Sequence, residues 1–344
     1  MKAMMLTGIN KIEMREIPYP VIKNDTDVLI RMAKVGVCGS DVHYYVSGRI
    51  GCQVIQYPYI VGHECSGVVE KVGSSVSGLM AGDRIAIDPA ISCWQCDQCR
   101  TGRHHTCRKL KFLGCPGQMP GCLCEYIVMP EASCYKIKDG MTFEQAAISE
   151  PLSIGVYSVK QSGIAPGAKI GILGVGPIGL SVLLTAGIQG ADKIHITDKL
   201  DGRIDVALNA GAKWAGNPDR QNIVEEITQL EPGGLDAIFE CCGQQEALDQ
   251  AIELLKPGGK LMLIGIPSVD RISFSIDKLR RKEISTQNVR RQVDCVQDAL
   301  DMIDGQQVDV DFMATHHFPF EKTEEAFELV ANYRDGVIKA IVDF

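Results

Sequence analysis

The sequence has no excess of basic residues: 35 lysines and arginines stand against 43 aspartates and glutamates, a net charge of −8 at pH 7. An acidic balance disfavours a general electrostatic hold on nucleic acid or on an anionic membrane. The first residues also lack the apolar run of a secretory leader, since charges recur at Lys11, Glu13, Arg15 and Glu16. We therefore expect a cytoplasmic protein that binds neither nucleic acid nor membrane.

Long charge-free runs are scarce, and internal repeats and low-complexity tracts are absent. The exception is the stretch 170–191, which contains 22 residues without a charge. Six glycines and Pro177 interrupt this stretch. We interpret it as a glycine-rich turn between a strand and a helix rather than as a membrane span.

The pattern of residue types changes near residue 150. The 344 residues of the chain are enough for two domains. Before that point, short β-branched stretches alternate with glycines and prolines, which predicts an all-β domain with a curled sheet. No long helical periodicity precedes Met141. From about 151 apolar strands alternate with helices, which predicts a doubly wound α/β sheet of parallel strands. After about 290 we expect a helix, a strand, a second helix and a closing strand.

The stretch GILGVGPIG has the spacing G-x-G-x-x-G between a predicted strand and a predicted helix. In that context the glycines allow a tight turn and a close approach of the backbone to a pyrophosphate. The N-terminus of the helix then attracts the anion. The residues that we expect to bind a dinucleotide here are Gly174, Gly176, Pro177, Ile178 and Gly179.

Asp198 ends the next predicted strand, KIHITD, nineteen residues after Gly179. A carboxylate at that place accepts hydrogen bonds from ribose hydroxyls and repels a 2′-phosphate. This predicts NAD rather than NADP as the cofactor. Lys199 and Arg203 lie close by and leave some tolerance of NADP, and we expect Arg203 to contact the cofactor.

The densest group among 14 cysteines lies in the stretch SCWQCDQCRTGRHHTC. It has the spacing C-x2-C-x2-C-x7-C and consists of Cys93, Cys96, Cys99 and Cys107. In a reducing compartment thiols serve as metal ligands or catalytic groups rather than as disulfides. Four thiolates fill the tetrahedral coordination shell of zinc and leave no coordination position for a substrate. We therefore predict a structural zinc. A C-x-x-C redox pair and a nucleic-acid-binding zinc ribbon are the rival interpretations, and His104 and His105 are spare histidines of a solvated loop.

A second set of ligand-type residues is scattered along the chain. It comprises Cys38 in VGVCGSDVHYY, His63 and Glu64 in VGHECSG, and Glu150 in SEPLSIGVYS. Each residue alone is unremarkable. Together they supply one thiolate, one imidazole and two carboxylates, enough for a mixed-ligand zinc site with a position open to water or substrate. We therefore predict two zinc ions per chain, one catalytic and one structural.

Taken together, these motifs resemble the zinc-dependent medium-chain dehydrogenases over essentially the full chain. GHECSGVVEKVGSSVSGLMAGDRIAI is similar to that family's zinc signature and the strand after it, and the four-cysteine lobe and the GVGPIG turn follow in the family's order. The resemblance implies a GroES-like catalytic domain over 1–153, with a zinc lobe at about 90–110, and a Rossmann NAD-binding domain over 154–290. Residues 291–344 would return to complete the catalytic domain. Relatives are commonly dimers or tetramers, so we expect a homo-oligomer, a tetramer or a dimer.

Within the family, CGSDVHYYVSGRIG and EPLSIGVYSV resemble the sorbitol and xylitol dehydrogenases most. In that branch a cysteine, a histidine and the glutamate of G-H-E hold the catalytic zinc. The matching residues here are Cys38, His63 and Glu64. A second glutamate, which matches Glu150, lies at the metal directly or through water.

The resemblance also implies roles for residues around the metal. Ser40 matches the hydroxyl that takes the alcohol proton, and His43 matches the position that passes the proton onward. Tyr44 and Arg290 match positions that contact polyol hydroxyls. The polyol enzymes often have Phe-Arg-Tyr where this chain has VRR at 289–291, and the second arginine suggests a more anionic or differently hydroxylated substrate.

The implied reaction transfers a hydride from a secondary alcohol of a sorbitol-, xylitol- or iditol-like polyol to NAD and gives a ketose. Zinc would lower the pKa of the substrate hydroxyl as a Lewis acid, while the protein aligns the carbinol carbon with the nicotinamide. Threonine, butanediol, inositol-type and polyol-phosphate dehydrogenases share the scaffold and are alternative enzymes. A non-catalytic protein that binds zinc and nucleotide is the alternative from a different class.

Overall fold

The computed structural model describes residues 1–344. Its strands are β1 (Lys2–Gly8), β2 (Lys11–Glu16), β3 (Asp27–Gly36), β4 (Arg49–Ile50), β5 (Gln53–Val54), β6 (Glu64–Val72), β7 (Arg84–Ile87), β8 (Ala90–Ile91), β9 (Lys111–Phe112), β10 (Tyr126–Pro130), β11 (Cys134–Lys136), β12 (Lys169–Leu173), β13 (Lys193–Thr197), β14 (Trp214–Gly216), β15 (Leu235–Glu240), β16 (Leu255–Leu263), β17 (Ser285–Asn288), β18 (Ala314–Pro319) and β19 (Lys339–Asp343). Its α-helices are α1 (Gly39–Ser47), α2 (Asp97–Arg100), α3 (Phe143–Ser162), α4 (Pro177–Ile188), α5 (Asp201–Asn209), α6 (Ile223–Leu230), α7 (Gln245–Leu254), α8 (Ile276–Arg281), α9 (Val296–Asp304) and α10 (Thr323–Ala331). Short 3-10 helices cover His104–Thr106, Glu131–Ser133, Asp311–Met313 and Phe320–Lys322.

The chain forms two compact units. The first comprises Met1–Glu150 together with Val296–Phe344, and the second comprises Pro151–Cys295. The sequence predicts boundaries at 153/154 and 290/291, a few residues from those of the structure. The first boundary falls inside α3, and the second coincides with the first residue of α9.

The first unit is built round a seven-stranded sheet. Six strands run in the order β11-β7-β6-β3-β19-β18, and β10 also pairs with β3. β3 and β6 are antiparallel with Gly36 opposite Glu64, while β19 pairs with the same end of β3. Ile30, Met32 and Val342 are buried in one apolar core beneath these strands. Strands from both ends of the chain therefore meet in one sheet.

The second unit is a sheet of six parallel strands in the order β14-β13-β12-β15-β16-β17. Numbered within the unit, this is the order 3-2-1-4-5-6 of doubly wound dinucleotide-binding folds. Leu173, Ile238 and Leu261 are buried in its core. The doubly wound α/β sheet predicted from the sequence is thus confirmed, and the stretch 170–191 forms β12, the turn after it and α4. None of the helices combines the length and apolar character that crossing a bilayer requires.

Helix α1 does not follow from the hydrophobic pattern of the sequence, which shows no helical period before Met141. The helix has nine residues, and its buried positions are Asp41, Tyr44 and Tyr45. A charged residue on the buried side removes the apolar stripe by which amphipathic helices are recognised. The burial of Asp41 has a reason in the site described below.

An ionic cluster around the buried Glu231 carboxylate in the second unit predicts acid-sensitive stability. The Glu231 carboxylate lies 2.5 Å from Lys169 Nζ, 2.9 Å from Lys193 Nζ and 3.4 Å from His195 Nε2. Burial alone would raise the pKa of Glu231, but the two ammonium groups outweigh burial and lower it to about 2. Burial also lowers the pKa of His195.

Both shifts make the unit less stable as the pH falls. Below pH 6.5 the unfolded chain binds a proton at His195 that the folded chain excludes, and below 4.5 it binds another at Glu231. Glu231→Gln should therefore lose about 1–3 kcal/mol of unfolding free energy at pH 7, with the deficit shrinking between pH 4.5 and 2. Urea unfolding across this pH range measures the difference. Glu253→Gln, in an exposed pair with Lys278, is the control, and an equal effect of both variants would contradict the prediction.

Candidate active site

Three ligand-type side chains meet where β3, α1 and β6 come together. The ligand atoms of Cys38, His63 and Glu64 all lie within 4.8 Å of one another. The pairing of Gly36 with Glu64 across β3 and β6 produces this arrangement, because Cys38 follows two residues after Gly36 and immediately precedes α1. His63 and Glu64 are buried. A thiol, an imidazole and a carboxylate at this spacing fit a zinc ion with an open coordination position.

Lys339 is a component of this site that the sequence motifs do not reveal. Its Nζ lies 2.5 Å from Glu64 Oε2, and both side chains are 2% exposed. The ammonium also donates to the carbonyl of Val37 at 3.3 Å. A lone lysine in the apolar strand IKAIVDF is the signal that could have indicated a buried partner, since a buried charge must be paired.

Asp41 is the second residue that sequence reasoning missed. Its carboxylate lies 3.3 Å from His63 Nδ1 and accepts a hydrogen bond from the backbone N–H of Gly62 at 3.1 Å. Burial disfavours the charged His63 ring, but Asp41 and Cys38 outweigh burial, and the pKa of His63 is raised. With Nδ1 held by Asp41, the ring leaves Nε2 for a metal, the arrangement of many metal-binding histidines.

Glu150 lies beside the three-residue group but is not part of it. It is 7% exposed, and its electrostatic neighbours include His63, Glu64 and Asp88. Burial, reinforced by the neighbouring carboxylates and opposed by His63, raises the pKa of Glu150 to about 7. The structure therefore brings Glu64 rather than Glu150 into ligand distance of Cys38 and His63.

Ser40, His43 and Tyr44 are neighbours on one face of helix α1 because they are three and four residues apart. Ser40 Oγ donates to Cys38 Sγ at 3.4 Å. Burial lowers the pKa of His43. Tyr44 is 4% exposed, and its hydroxyl donates to Gln53 Oε1 at 3.3 Å.

The four cysteines of the lobe form a second cluster, with all four sulfurs within 4.8 Å of one another. Cys96 Sγ lies 3.6 Å from Cys99 Sγ and 3.9 Å from Cys107 Sγ. A tetrahedral zinc with Zn–S bonds of about 2.3 Å requires sulfurs roughly 3.8 Å apart. The measured separations therefore fit a four-thiolate zinc shell.

Backbone donors and burial act on these thiols in opposite directions. Backbone N–H groups of Arg108 and Cys99 lower the pKa of Cys96 to about 6. Burial raises the pKa of Cys99 to about 12, so its thiolate needs a cation beside it. Neither His104 nor His105 joins the cluster. The prediction of solvated loop histidines is wrong for His105, which is 4% exposed.

The predicted dinucleotide turn connects β12 to α4 in the second unit. Gly174 has φ +103°, and a Cβ on Gly179 would lie 1.9 Å from the carbonyl oxygen of Gly174. Only glycine tolerates either position. Pro177 and Ile178 open α4, so the helix N-terminus faces the turn.

Asp198 and Arg203 lie against this turn. Asp198 accepts hydrogen bonds from the backbone N–H of Val175 at 2.7 Å and of Leu200 at 2.9 Å. A carboxylate has about four acceptor positions, so Asp198 keeps capacity for a ribose hydroxyl. A Cβ on Gly176 would meet the Arg203 guanidinium at 3.8 Å, and Arg203 is 7% exposed. These residues fit a nucleotide phosphate and ribose.

Arg290 follows β17 in the second unit and is exposed. Arg291 next to it has φ +57° and is half-buried. The two side chains therefore differ in environment. The expected contact between Arg290 and substrate stays a prediction.

Comparison with known proteins matches a family to each of the two units. Residues 24–139 match the alcohol dehydrogenase GroES-like domain family, and residues 177–305 match the zinc-binding dehydrogenase family. The chain is 34% identical to the sorbitol dehydrogenase of Bacillus subtilis strain 168, over 99% of this chain and 97% of that protein. It is 33% identical to the L-idonate 5-dehydrogenase of Vitis vinifera, over 96% and 91%.

Among solved structures, a zinc-binding dehydrogenase of Sinorhizobium meliloti 1021 bound to NADP has a TM-score of 0.90 with this chain. Its sequence is 28% identical, and the match covers 100% of this chain and 99% of that one. Two domain matches and full-length relatives agree with the clusters described above. The chain belongs to the zinc-dependent medium-chain dehydrogenase/reductase family, in its polyol dehydrogenase branch, and is an oxidoreductase that acts on CH–OH groups with zinc and NAD(P).

Proposed function

We propose that the protein oxidises a secondary alcohol of a polyol to a ketose with NAD as the hydride acceptor. The observation that carries this proposal is the group of Cys38, His63 and Glu64, with ligand atoms within 4.8 Å of one another. A zinc site with three protein ligands keeps a position for the alcohol. The sorbitol and idonate dehydrogenases among its relatives support a polyhydroxylated substrate.

The chain's own residues handle the proton of the alcohol. When bound, zinc makes the alcohol more acidic, and NAD takes up the hydride. Ser40 Oγ, next to Cys38 Sγ, accepts the alcohol proton. His43 lies on the same helix face and passes the proton onward. Because burial lowers the pKa of His43, its ring is neutral at pH 7 and able to accept that proton.

The proposal also covers the zinc ions, the nucleotide, the compartment and the oligomeric state. Each chain holds two zinc ions, a catalytic one at Cys38, His63 and Glu64, with Glu150 bound directly or through water, and a structural one in the four-cysteine lobe. The carboxylate of Asp198 favours NAD over NADP. We place the protein in the cytoplasm, where a reducing environment keeps the zinc-binding thiols reduced, and we expect a homo-oligomer, a tetramer or a dimer.

A sugar acid is the second candidate substrate. The exposed Arg290 carries a positive charge, and guanidinium groups suit carboxylates. The idonate dehydrogenase relative is named for a sugar acid. Such a substrate has the same secondary alcohol and requires no change in the metal site.

A substrate panel tests the proposal directly. We expect sorbitol, xylitol or iditol to give the highest kcat/KM, with NADH absorbance as the readout and NAD and NADP compared side by side. L-idonate, inositols, threonine, butane-2,3-diol and galactitol phosphate are the competitors. A preference for threonine or butanediol would contradict a polyol substrate, and a preference for NADP would contradict the role of Asp198. Failure of every alcohol would leave a non-catalytic protein that binds zinc and nucleotide.

A further inference from the structure

The hydroxyl of Tyr44, expected from the family resemblance to contact polyol, is already engaged within the protein. It donates to Gln53 Oε1 at 3.3 Å, and Tyr44 is 4% exposed. Burial, with a contribution from Cys115, raises the pKa of Tyr44, so the phenol keeps its proton and remains a donor. Its acceptor Gln53 is only half-buried and is thus more exposed than Tyr44.

The Gln53 amide is held in place but not saturated. It lies in β5, the second strand of a short hairpin with β4. Its Nε2 donates to Cys115 Sγ, and its Oε1 accepts from Tyr44. A glutamine amide has two N–H donors and two acceptor lone pairs. One donor and one acceptor therefore remain, in an orientation that two protein contacts determine.

Two short routes of contacts connect Gln53 to the metal-ligand group, one through Tyr44 and α1 and one through Cys115 and Phe112. Ser40, which contacts Cys38, and Tyr44 are four residues apart in α1 and adjacent on its surface. On the second route, the Phe112 ring lies 5.2 Å from the His63 ring, and the Cys115 N–H donates to the Phe112 carbonyl at 3.1 Å. Gln53 is thus tied to the metal-ligand group through α1 on one route and through Cys115, Phe112 and His63 on the other.

We propose that Gln53 is a specificity-determining residue that binds a hydroxyl of the substrate distant from the reacting carbon. This inference rests on the proposed polyol oxidation. A hydroxyl is both a donor and an acceptor, and it matches the free N–H and the free lone pair of the amide. Tyr44 and Cys115 then act as positioning residues that orient this amide. An alcohol without distal hydroxyls cannot form this hydrogen bond, so the Gln53 amide does not contribute to its binding.

Two Gln53 variants test the inference on two substrates of one chain length. Gln53→Met removes the amide, and Gln53→Asn keeps it but withdraws it by one methylene. The substrates are the best pentitol or hexitol and a secondary alcohol of equal carbon number that lacks the other hydroxyls. Both variants should raise the KM of the polyol about 3- to 10-fold, the range for one lost hydrogen bond. Values of kcat and of the KM for the simple alcohol should stay within about twofold of wild type, since the metal site is untouched.

Gln56→Met is the matched control, because Gln56 is an exposed glutamine three residues away, and it should leave both KM values unchanged. Equal rises for both alcohols, or no rise for either, would overturn the role of Gln53 while the polyol function stands. If wild type does not prefer the polyol to the simple alcohol, both the proposed function and this inference fail. A fall in melting temperature with unchanged KM values would make Gln53 a structural residue and would also overturn the inference.

Discussion

Replacing Glu64 with glutamine is expected to destabilise the protein by about 3–5 kcal/mol, because it leaves the buried Lys339 ammonium without its anionic partner. The two groups are 2.5 Å apart, and each side chain is 2% exposed. Adding Lys339→Met to Glu64→Gln should restore part of this loss, since an apolar replacement of a whole buried pair is often neutral. The double variant should therefore be more stable than Glu64→Gln alone. Urea unfolding of the protein as purified measures the three free energies.

The matched control for this cycle is the exposed pair of Lys322 and Glu325, which lies in the same unit and is 54% and 57% exposed. Lys322→Met should cost less than about 1 kcal/mol. A double variant less stable than Glu64→Gln would show that Lys339 stabilises the unit by packing rather than by its charge.

Zinc content of the same variants separates two roles of Glu64. A ligand role predicts that Glu64→Gln lowers zinc content and zinc affinity in a chelator competition. A role outside the coordination shell predicts retained zinc with a rate loss of about 10–100-fold. Lys339→Met keeps the carboxylate for the metal, so it should keep zinc in either case.

The sites that could be predicted from the sequence are those encoded in short stretches. The glycine turn at 174–179 and the four cysteines between 93 and 107 have spacings that specify their local geometry. The contact of Lys339 with Glu64 joins residues 275 positions apart. No periodicity or spacing in the sequence carries that pairing, because it depends on β19 lying beside β3 in the finished sheet.

Asp41 was missed for a different reason. The stretch GSDVHYY has a charge where a buried helix normally has an apolar residue, so the hydrophobic pattern alone hides α1. The charge is explained by its contacts with His63 Nδ1 and the Gly62 N–H. Departures from the expected pattern of this kind concentrate at functional sites, and both Asp41 and Lys339 are buried charges beside the metal-ligand group.

Removing one ligand of the four-cysteine lobe should have the second large effect. Cys96→Ser is expected to lower the zinc content from two ions per chain to one. Structural zinc supplies apparent binding free energy of about 10–16 kcal/mol in zinc-finger peptides, and a hydroxyl does not replace a thiolate ligand. Elemental analysis after gentle purification measures the stoichiometry. Cys52→Ser, which changes an exposed cysteine of the same unit, should keep both ions.

The lost zinc should open the lobe, because the strands that bracket its loop, β8 and β9, are joined over only two residues each. Hydrogen bonds also cross the loop. They include Arg108 to Asp97 and Ser92 to the His104 carbonyl. Trypsin should then cleave Cys96→Ser near residues 100–109, where four lysine and arginine side chains lie, and spare wild type and Cys52→Ser. Because the Phe112 ring at the end of the loop lies 5.2 Å from that of His63, activity should fall as the lobe is cleaved. Loss of one zinc with unchanged trypsin resistance would show that hydrogen bonds, rather than the metal, hold this loop closed.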